Sequence, residues 1–230
     1  MPSPKFERPD WNAFEITWLL SFSALAIALS LLWKNSLLDF SVFLSGVLCV
    51  VLAAKGNIWT YAFGMYNTFG YAYLAYTNGL YGEMGLNLFF FVPMNVVGYV
   101  LWKPKLEGGY VQMRAMNPRQ ILLTAVASLL GILGLGYGLS LIAGQNNPYI
   151  DAITDVLSIF ATFLMVYRFR EQWLLYILLN VFTVLLWCIR TAHGSPEGPL
   201  MIVMWTAFLI NAGYGYYNWT RGVKHTSTAS

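Results

Sequence analysis

The sequence of 230 residues has little charge, since only 10% of its residues are Asp, Glu, Lys or Arg and 58% are hydrophobic. A water-soluble domain usually carries roughly 25% charged residues. So few charges cannot cover a surface that faces water, and most of the surface is therefore expected to face lipid. The sequence predicts an integral membrane protein and argues against an ordinary soluble domain.

Residues and motifs that commonly carry chemistry are also scarce. Cys49 and Cys188 both fall in apolar runs, which indicates small buried hydrophobic side chains rather than a disulfide or a metal pair. Neither His193 nor His225 lies in an apolar run, and no GxxxxGK[ST] phosphate loop or HExxH sequence occurs. We therefore expect no enzymatic activity and no cofactor or metal, and we do not expect the chain itself to hydrolyse ATP.

Long apolar runs are what the sequence has instead. Charged and Gly-, Pro- or Asn-rich breaks separate about eight of them, each near the ~20 residues with which a helix crosses a ~30 Å hydrocarbon core. None alternates with period 2, and only helices and closed barrels satisfy their backbone in lipid. An all-α bundle of about eight transmembrane helices follows, with the first run retained rather than cleaved as a signal. The predicted spans are 14–33, 37–54, 58–77, 84–102, 120–142, 149–168, 172–190 and 199–219.

The basic residues predict the orientation of these spans. Lys34 and Arg190 fall on one side, and the remaining cations fall on the other, so the positive-inside rule places both termini in the cytoplasm. The long loop 103–119 is interpreted as a solvated topology signal and not as a nucleic-acid site. The cytoplasmic cations are Lys5, Arg8, Lys55, Lys103, Lys105, Arg114, Arg119, Arg168, Arg170, Arg221 and Lys224.

A three-helix repeat is visible across these spans. The segment 37–59 resembles 149–173, and both carry an aspartate near the start and a tryptophan after a basic break. The next helices place Asn67 and Asn180 at similar depth, and NVVGYVLW at 95–102 resembles NAGYGYYNW at 211–219. Equivalent helices lie four spans apart, so the repeats are parallel, as in SWEET-type transporters.

This repeat predicts five regions along the chain. The span between the repeats becomes a linker helix, in which Gly134 and Gly138 form a GxxxG pair suited to close helix packing. The regions are an N-terminal tail with an extra helix (1–36), a first repeat (37–102), a cytoplasmic loop with the linker helix (103–148), a second repeat (149–219) and a cytoplasmic tail (220–230).

Four asparagines lie near the middle of their spans. Asn67 is nine residues past Ile58, which corresponds to about 13 Å of helix. An unsatisfied amide in hydrocarbon costs several kcal/mol, so each of these side chains needs partners. Hydrogen bonding between helices is one explanation. Their relation by the repeat and their aromatic neighbours favour the other, a shared binding cavity formed by Asn67, Asn95, Asn180 and Asn211.

Aromatic side chains accompany the asparagines. Trp173, Tyr176, Asn180 and Trp187 follow spacings of one helical face. Trp102 and Trp219 are instead interpreted as interfacial anchors. The other aromatic candidates are Trp59 and Tyr66 near Asn67, Tyr99 near Asn95, and Tyr214 near Asn211.

The charge at mid-depth limits the ligand. No Lys or Arg falls there, so a phosphate dianion would find no basic partner. Aromatic faces with amides suit a flat, polar molecule that is neutral or cationic. Pro93 is expected to break its helix near Asn95. Asp155 is the one acid placed to carry a coupling proton, but capping or bonding to a neighbouring helix near the interface is the favoured explanation.

Four short stretches resemble the PnuC family of bacterial vitamin B3 transporters: AAKGNIW at 53–59, YGEMGLN at 81–87, REQW at 170–173 followed by Asn180, and NAGYGYY at 211–217. The resemblance covers about 37–219. It implies a SWEET-like 3+1+3 fold, a homotrimer in the bacterial inner membrane, and import of nicotinamide riboside by facilitated diffusion followed by cytosolic phosphorylation by a riboside kinase. It also implies that the pyridinium ring stacks on aromatic side chains and that Asn or Gln side chains, including Gln172, bond the amide and ribose.

Two other functions remain open at this point. One is an ion-coupled transporter of another flat cationic vitamin or nucleoside, such as thiamine. The other is a membrane scaffold, in which the asparagines only connect helices and no small ligand binds.

Overall fold

The computed structural model describes residues 11, 13–32, 37–77, 79, 81–142, 148–194 and 198–228. Its helices correspond to the eight predicted spans, with the fourth span formed by two helices and a π-helical turn. The helices are α1 (Ala13–Leu32), α2 (Leu37–Lys55), α3 (Thr60–Thr77), α4 (Tyr81–Leu86), the π-helical turn (Asn87–Phe91), α5 (Val92–Trp102), α6 (Pro118–Ser140), α7 (Pro148–Val166), α8 (Gln172–Ala192) and α9 (Gly198–Thr228). A 3-10 turn (Lys103–Lys105) leads to a short antiparallel hairpin of β1 (Leu106–Glu107) and β2 (Tyr110–Val111).

These helices confirm the predicted all-α membrane fold. Within the described part of the chain, five of them are long and apolar enough to cross a membrane. They are Leu37–Lys55, the whole fourth span Tyr81–Lys105, Pro118–Ser140, Pro148–Val166 and Gln172–Ala192.

Pro93 does not break its helix, contrary to the prediction. The backbone N–H of Val92 instead donates to the carbonyl of Asn87, five residues back, so the helix widens into a π turn just before the proline. Proline has no N–H, and its ring clashes with the carbonyl four residues earlier. A π turn accommodates that clash while the helix continues.

The predicted C-terminal tail is also helical. Helix α9 continues to Thr228, nine residues beyond the predicted end at 219. No proline or acidic residue interrupts residues 220–228, and Lys224 adds a cation near a helix C-terminus, where it is favourable. A helix of 31 residues is about 46 Å long, which exceeds the ~30 Å hydrocarbon core. Part of α9 therefore extends out of the hydrocarbon.

The chain divides into two compact units, which are residues 1–113 with 221–230, and residues 114–220. In the second unit α6 packs along α7. The predicted GxxxG contact is not made within the described residues, because a methyl group added at Gly134 or Gly138 would meet nothing within 4 Å. Gly131 and Gly136 make the close contacts instead, against Val156 and Tyr149 of α7.

The turn after α2 and the turn after α7 have the same backbone geometry. Gly56 (φ 73°) and Arg168 (φ 67°) are both left-handed. In each turn the N–H of the next residue donates to a carbonyl five residues back, from Asn57 to Leu52 (2.9 Å) and from Phe169 to Leu164 (2.8 Å). This is the Schellman pattern that ends helices. Gly56 adopts it freely, whereas Arg168 carries a side chain in a region that non-glycine residues rarely occupy.

Five residues after each left-handed residue, an aromatic ring packs against a glycine of a later helix. In the first unit the ring of Tyr61 lies against Gly98 and meets Trp102 edge-on, with ring centroids 4.9 Å apart. In the second unit the ring of Trp173 lies against Gly215 and meets Trp219 at 6.2 Å. Both Trp102 and Trp219 are fully buried, so they are core residues of their units rather than the interfacial anchors that we predicted.

The shared turn geometry changes the predicted pairing of the repeats. Trp59 lies three residues after its left-handed residue, whereas Trp173 lies five residues after the corresponding one. Counting from the turns, Tyr61 corresponds to Trp173, and Thr68 corresponds to Asn180. The repeat itself and its boundaries stay predictions. The two left-handed turns indicate which residues of one repeat correspond to which residues of the other.

The close contact between an aromatic ring and a glycine gives a stability prediction. A methyl group at Gly98 would overlap the Tyr61 ring, and one at Gly215 would lie 2.6 Å from the Trp173 ring. We expect Gly98→Ala and Gly215→Ala each to lower the free energy of unfolding by about 2 kcal/mol. Thermal unfolding of the detergent-solubilised protein measures this.

Gly213→Ala is the matched control for that experiment. Gly213 is also in α9, but a methyl group added there meets nothing within 4 Å. Since Ala favours a helix over Gly by up to about 1 kcal/mol, this variant should keep or raise the melting temperature. Equal losses in all three variants would contradict the contact.

Candidate functional site

Asn67 connects two helices of the first unit. Its side-chain Nδ2 donates to the backbone carbonyl of Val42 in α2 at 2.8 Å. Its amide also lies over Gly46, where an added methyl group would be 2.9 Å from Nδ2. The neighbouring Tyr66 hydroxyl bonds to Ser41 of α2 at 2.7 Å. Asn67 and Tyr66 therefore hold α3 against α2, which is the first of the two explanations considered for the asparagines.

Asn95 has a similar role between α3 and α5. Its Nδ2 donates to the carbonyl of Phe91 at 2.9 Å and to the Thr68 hydroxyl at 3.3 Å. Its Oδ1 would lie 2.6 Å from a methyl group at Gly64 of α3, so the two helices approach closely there. The carbonyl of Phe91 lies in the π-helical turn, and the Asn95 amide gives it a hydrogen bond.

The aromatic candidates of the first unit lie at exposed positions. Trp59, Tyr66 and Tyr99 are 63%, 50% and 44% exposed. Trp59 precedes α3 in the turn, where its N–H donates to the side-chain oxygen of Asn57 at 3.0 Å. Eight residues of chain separate Trp59 from Asn67, about 12 Å along a helix. Trp59 therefore does not lie beside Asn67, and it does not form the aromatic wall that we predicted there.

The second unit places Gln172 and Trp173 differently. Gln172 is fully buried, and Trp173 is 3% exposed. Within the described residues neither amide atom of Gln172 has a hydrogen-bond partner, and the indole Nε1 of Trp173 has none either. By contrast Thr60, the residue at the same count from the turn in the first unit, donates to the carbonyl of Cys49 at 2.9 Å. At the start of α8 three N–H donors and one acceptor oxygen, on Gln172 and Trp173, thus have no partner among the described residues.

Helix α9 supplies the other side of this cluster. Gly215 lets the Trp173 ring lie against the α9 backbone, and Trp219 closes one edge of it. Asn211, one turn before Gly215, is 2% exposed, and Tyr214 is half-buried. On α8 the ring of Tyr176 is 5.8 Å from that of Trp173. The candidate site is therefore an aromatic cluster on α8 and α9, with amide side chains on the same two helices.

Asn180 and Trp187 lie further along α8. Asn180 is 5% exposed and is two turns from Trp173, on the face that the sequence spacing predicted. Trp187 lies fourteen residues from Trp173, or about 21 Å along the helix, so the two do not share one binding cluster. The guanidinium of Arg190 covers the Trp187 ring at 4.8 Å.

Glu171 is a buried acid that we did not single out from the sequence. It is 7% exposed, its Oε2 accepts the N–H of Met116 at 3.0 Å, and its Oε1 accepts from Nε of Arg170 at 2.9 Å. The segment that precedes Glu171 is fixed by Arg114, whose backbone N–H donates to the carbonyl of Arg168 at 2.8 Å. These contacts hold the turn that leads into Gln172. The acid within REQW, between an arginine and the glutamine, was the signal available in the sequence.

Asn87 was also missed. It is 8% exposed, begins the π-helical turn and donates from Nδ2 to the carbonyl of Glu83 at 2.8 Å. It follows directly after the stretch YGEMGL. Its role is to complete backbone bonding where the helix changes pitch, and Pro93 six residues later was the signal for it.

Comparison with known proteins identifies the family. The sequence model of a transporter family, described as nicotinamide mononucleotide transporter, matches residues 36–221. The chain belongs to this family. Relatives named nicotinamide riboside transporter PnuC include one from Neisseria mucosa, 37% identical over 94% of this chain and 84% of the relative, and one from Haemophilus influenzae, 34% identical over 94% of each chain.

A crystal structure of the vitamin B3 transporter PnuC is similar to this chain as well. The TM-score is 0.77 and the identity is 37%, with 94% of each chain covered. This match confirms the predicted resemblance to the PnuC family. The chain is thus a multi-pass membrane protein whose relatives are named as transporters and not as enzymes.

The contrast between Asn67 and Gln172 predicts stability effects of opposite sign. Asn67→Leu removes the bond to Val42, so the free energy of unfolding should fall by about 1 kcal/mol. Gln172→Met replaces a buried amide without a partner by an apolar side chain of similar length, which is neutral or stabilising. Melting temperatures of the two solubilised variants test this. A large loss of stability in Gln172→Met would mean that its amide is satisfied in the protein.

Proposed function

We propose that this chain imports nicotinamide riboside by facilitated diffusion, with the substrate bound beside Trp173 and Gln172. The observation that carries the proposal is the buried Gln172 amide, which lacks a hydrogen-bond partner within the described residues and lies next to a buried indole. A protein that keeps such an amide unbonded loses about 1–3 kcal/mol. A ligand that supplies the missing bonds recovers that loss, so the arrangement favours a binding role.

The chemistry of nicotinamide riboside suits these groups. Its pyridinium ring is flat and cationic, and a cation over an aromatic face gains about 0.5–2 kcal/mol. Its carboxamide has one acceptor and two donors, which match the donors and acceptor of Gln172. Asn180 and Asn211, both buried, are proposed to bond the ribose hydroxyls, with Tyr176 and Tyr214 beside the ring. Asn67 and Asn95 are proposed to support the helices rather than to contact the substrate.

The choice between riboside and mononucleotide rests on charge. A phosphate group needs Arg, Lys or helix N-termini to replace its hydration. In the described spans the basic residues lie near helix ends, such as Lys55 at the end of α2, Arg119 in the first turn of α6 and Arg190 in the last turn of α8. We therefore infer that the riboside, and not its 5′-phosphate, is the substrate.

The transport mode and setting are parts of the same proposal. The sequence has no phosphate-binding loop, so we do not expect the chain itself to hydrolyse ATP. We propose, as the resemblance to the family implies, that import is passive and that a cytosolic riboside kinase traps the product. The basic residues favour cytoplasmic termini in a bacterial inner membrane. We also propose a homotrimer, as the resemblance to the family implies.

Selective binding is the first test. Calorimetry with the solubilised protein should detect nicotinamide riboside, whereas its 5′-phosphate and thiamine should bind at least about a hundredfold more weakly, since a desolvated dianion without a cation costs several kcal/mol. Equal affinity for riboside and phosphate would contradict the proposal. Preferred thiamine binding would favour the alternative vitamin.

Uptake by proteoliposomes is the second test. We expect saturable uptake of riboside without ATP or an ion gradient, and accumulation above equilibrium under an imposed proton gradient would contradict passive transport. Gln172→Met should lower the affinity for riboside by about tenfold or more, since one hydrogen-bonding group to a charged ligand is lost. Asn67→Leu is the control, because it should lower stability while leaving affinity within about twofold of wild type.

A further inference from the structure

Helix α1 lies outside the part of the chain that the family model matches. The family match begins at residue 36, after α1 ends at Leu32. Helix α1 packs on α2, and its Phe22 is 2% exposed. It also carries a carboxylate, Glu15, that is 5% exposed. A buried carboxylate is costly unless it is paired, so its partner indicates what the helix does.

That partner is Lys55, the last residue of α2. Its Nζ lies 2.8 Å from Oε2 of Glu15, and the two side chains are only 4% and 7% exposed. The same ammonium lies 3.9 Å from the ring centroid of Trp11 and 5.7 Å from that of Tyr110. We placed Lys55 among the cytoplasmic cations, and a lysine at a membrane boundary usually extends its ammonium into water. Here the cation is enclosed by a carboxylate and two aromatic rings.

Lys55 directly precedes the turn that starts α3. Gly56, the next residue, accepts the N–H of Val111 through its carbonyl at 2.9 Å. Tyr110 forms a bridge to Asn57, and Met113 packs against Gly56. The turn is therefore held by the hairpin strand β2 on one side. Lys55 joins that strand, through Tyr110, to α1.

Such a pair is better suited to fixing a geometry than to adding stability. Removing two charges from water offsets most of their attraction, so buried ion pairs contribute little net stability, although removing one partner is costly. We propose that Glu15 and Lys55 are positioning residues that fix the turn into α3, and that α1 contributes the carboxylate of this pair. This inference does not depend on the proposed function.

The first readout is backbone amide exchange in the solubilised protein. In Glu15→Gln the ammonium loses its counter-ion and should move toward water, which releases Tyr110 and the turn. Amides of residues 56–61 should then exchange at least about tenfold faster, since local opening becomes easier. Glu83→Gln removes an exposed carboxylate from α4 of the same unit and should leave this segment at the wild-type rate. Unchanged exchange in Glu15→Gln would overturn the proposal.

The second readout separates positioning from packing. Glu15→Gln should lower the melting temperature, since it leaves the buried Lys55 ammonium without its counter-ion. The double variant Glu15→Gln/Lys55→Gln leaves no buried charge and should recover the melting temperature. It should not recover the slow amide exchange of residues 56–61, because a neutral amide is not held over the Trp11 and Tyr110 rings as a cation is.

The outcomes are distinct from those of the proposed function. If the slow exchange of residues 56–61 recovers together with the melting temperature in the double variant, the pair serves packing alone and the positioning role is wrong. If the wild-type protein takes up no riboside, the proposed function fails while the exchange experiment still decides whether the pair holds the turn.

Discussion

A hydrogen-bonding group inside a bilayer has no water to bond with, so each buried amide must find a partner in the protein or carry a cost. In the first unit the half-buried Asn67 and Asn95 donate from Nδ2 to Val42, Phe91 and Thr68. In the second unit the buried Gln172 amide has no hydrogen-bond partner among the residues that the structure describes. The same constraint therefore assigns two different roles to amides that look alike in the sequence, and the proposed site follows from that difference.

The aromatic clusters depend on backbone geometry more than on side-chain chemistry. A left-handed residue ends α2 and α7 and sets the count to Tyr61 and Trp173. A glycine on a later helix, Gly98 or Gly215, then lets each ring approach the backbone. In the first unit this produces a packed core. In the second unit the larger indole follows a buried glutamine, and neither the Gln172 amide nor the Trp173 Nε1 has a hydrogen-bond partner among the described residues.

The fold was largely predictable because its signals are local. Apolar runs of ~20 residues and the shortage of charge indicate membrane helices without any knowledge of packing. Partners of individual amides were not predictable, because Asn67 bonds to a carbonyl 25 residues earlier in the chain. The predicted correspondence of Trp59 with Trp173 was wrong for a related reason. Similar residues were aligned by sequence alone, without the left-handed turns that indicate which positions of the two units correspond. Lys55 followed the positive-inside pattern, and its burial depends on a carboxylate 40 residues away.

If Gln172 is in the binding site as proposed, an amide without a partner among the described residues has a consequence for the proposed passive import. A facilitator must return empty after it releases its substrate, and the empty site then carries the cost of Gln172 unless water enters. That cost, about 1–3 kcal/mol, strengthens binding but also slows the empty carrier if the site stays dry while it reorients. A passive riboside carrier built in this way should therefore hydrate its empty site. The half-buried Tyr176 and Tyr214 at its border are suited to that role, because a phenol ring offers an apolar face to the substrate and a hydroxyl to water.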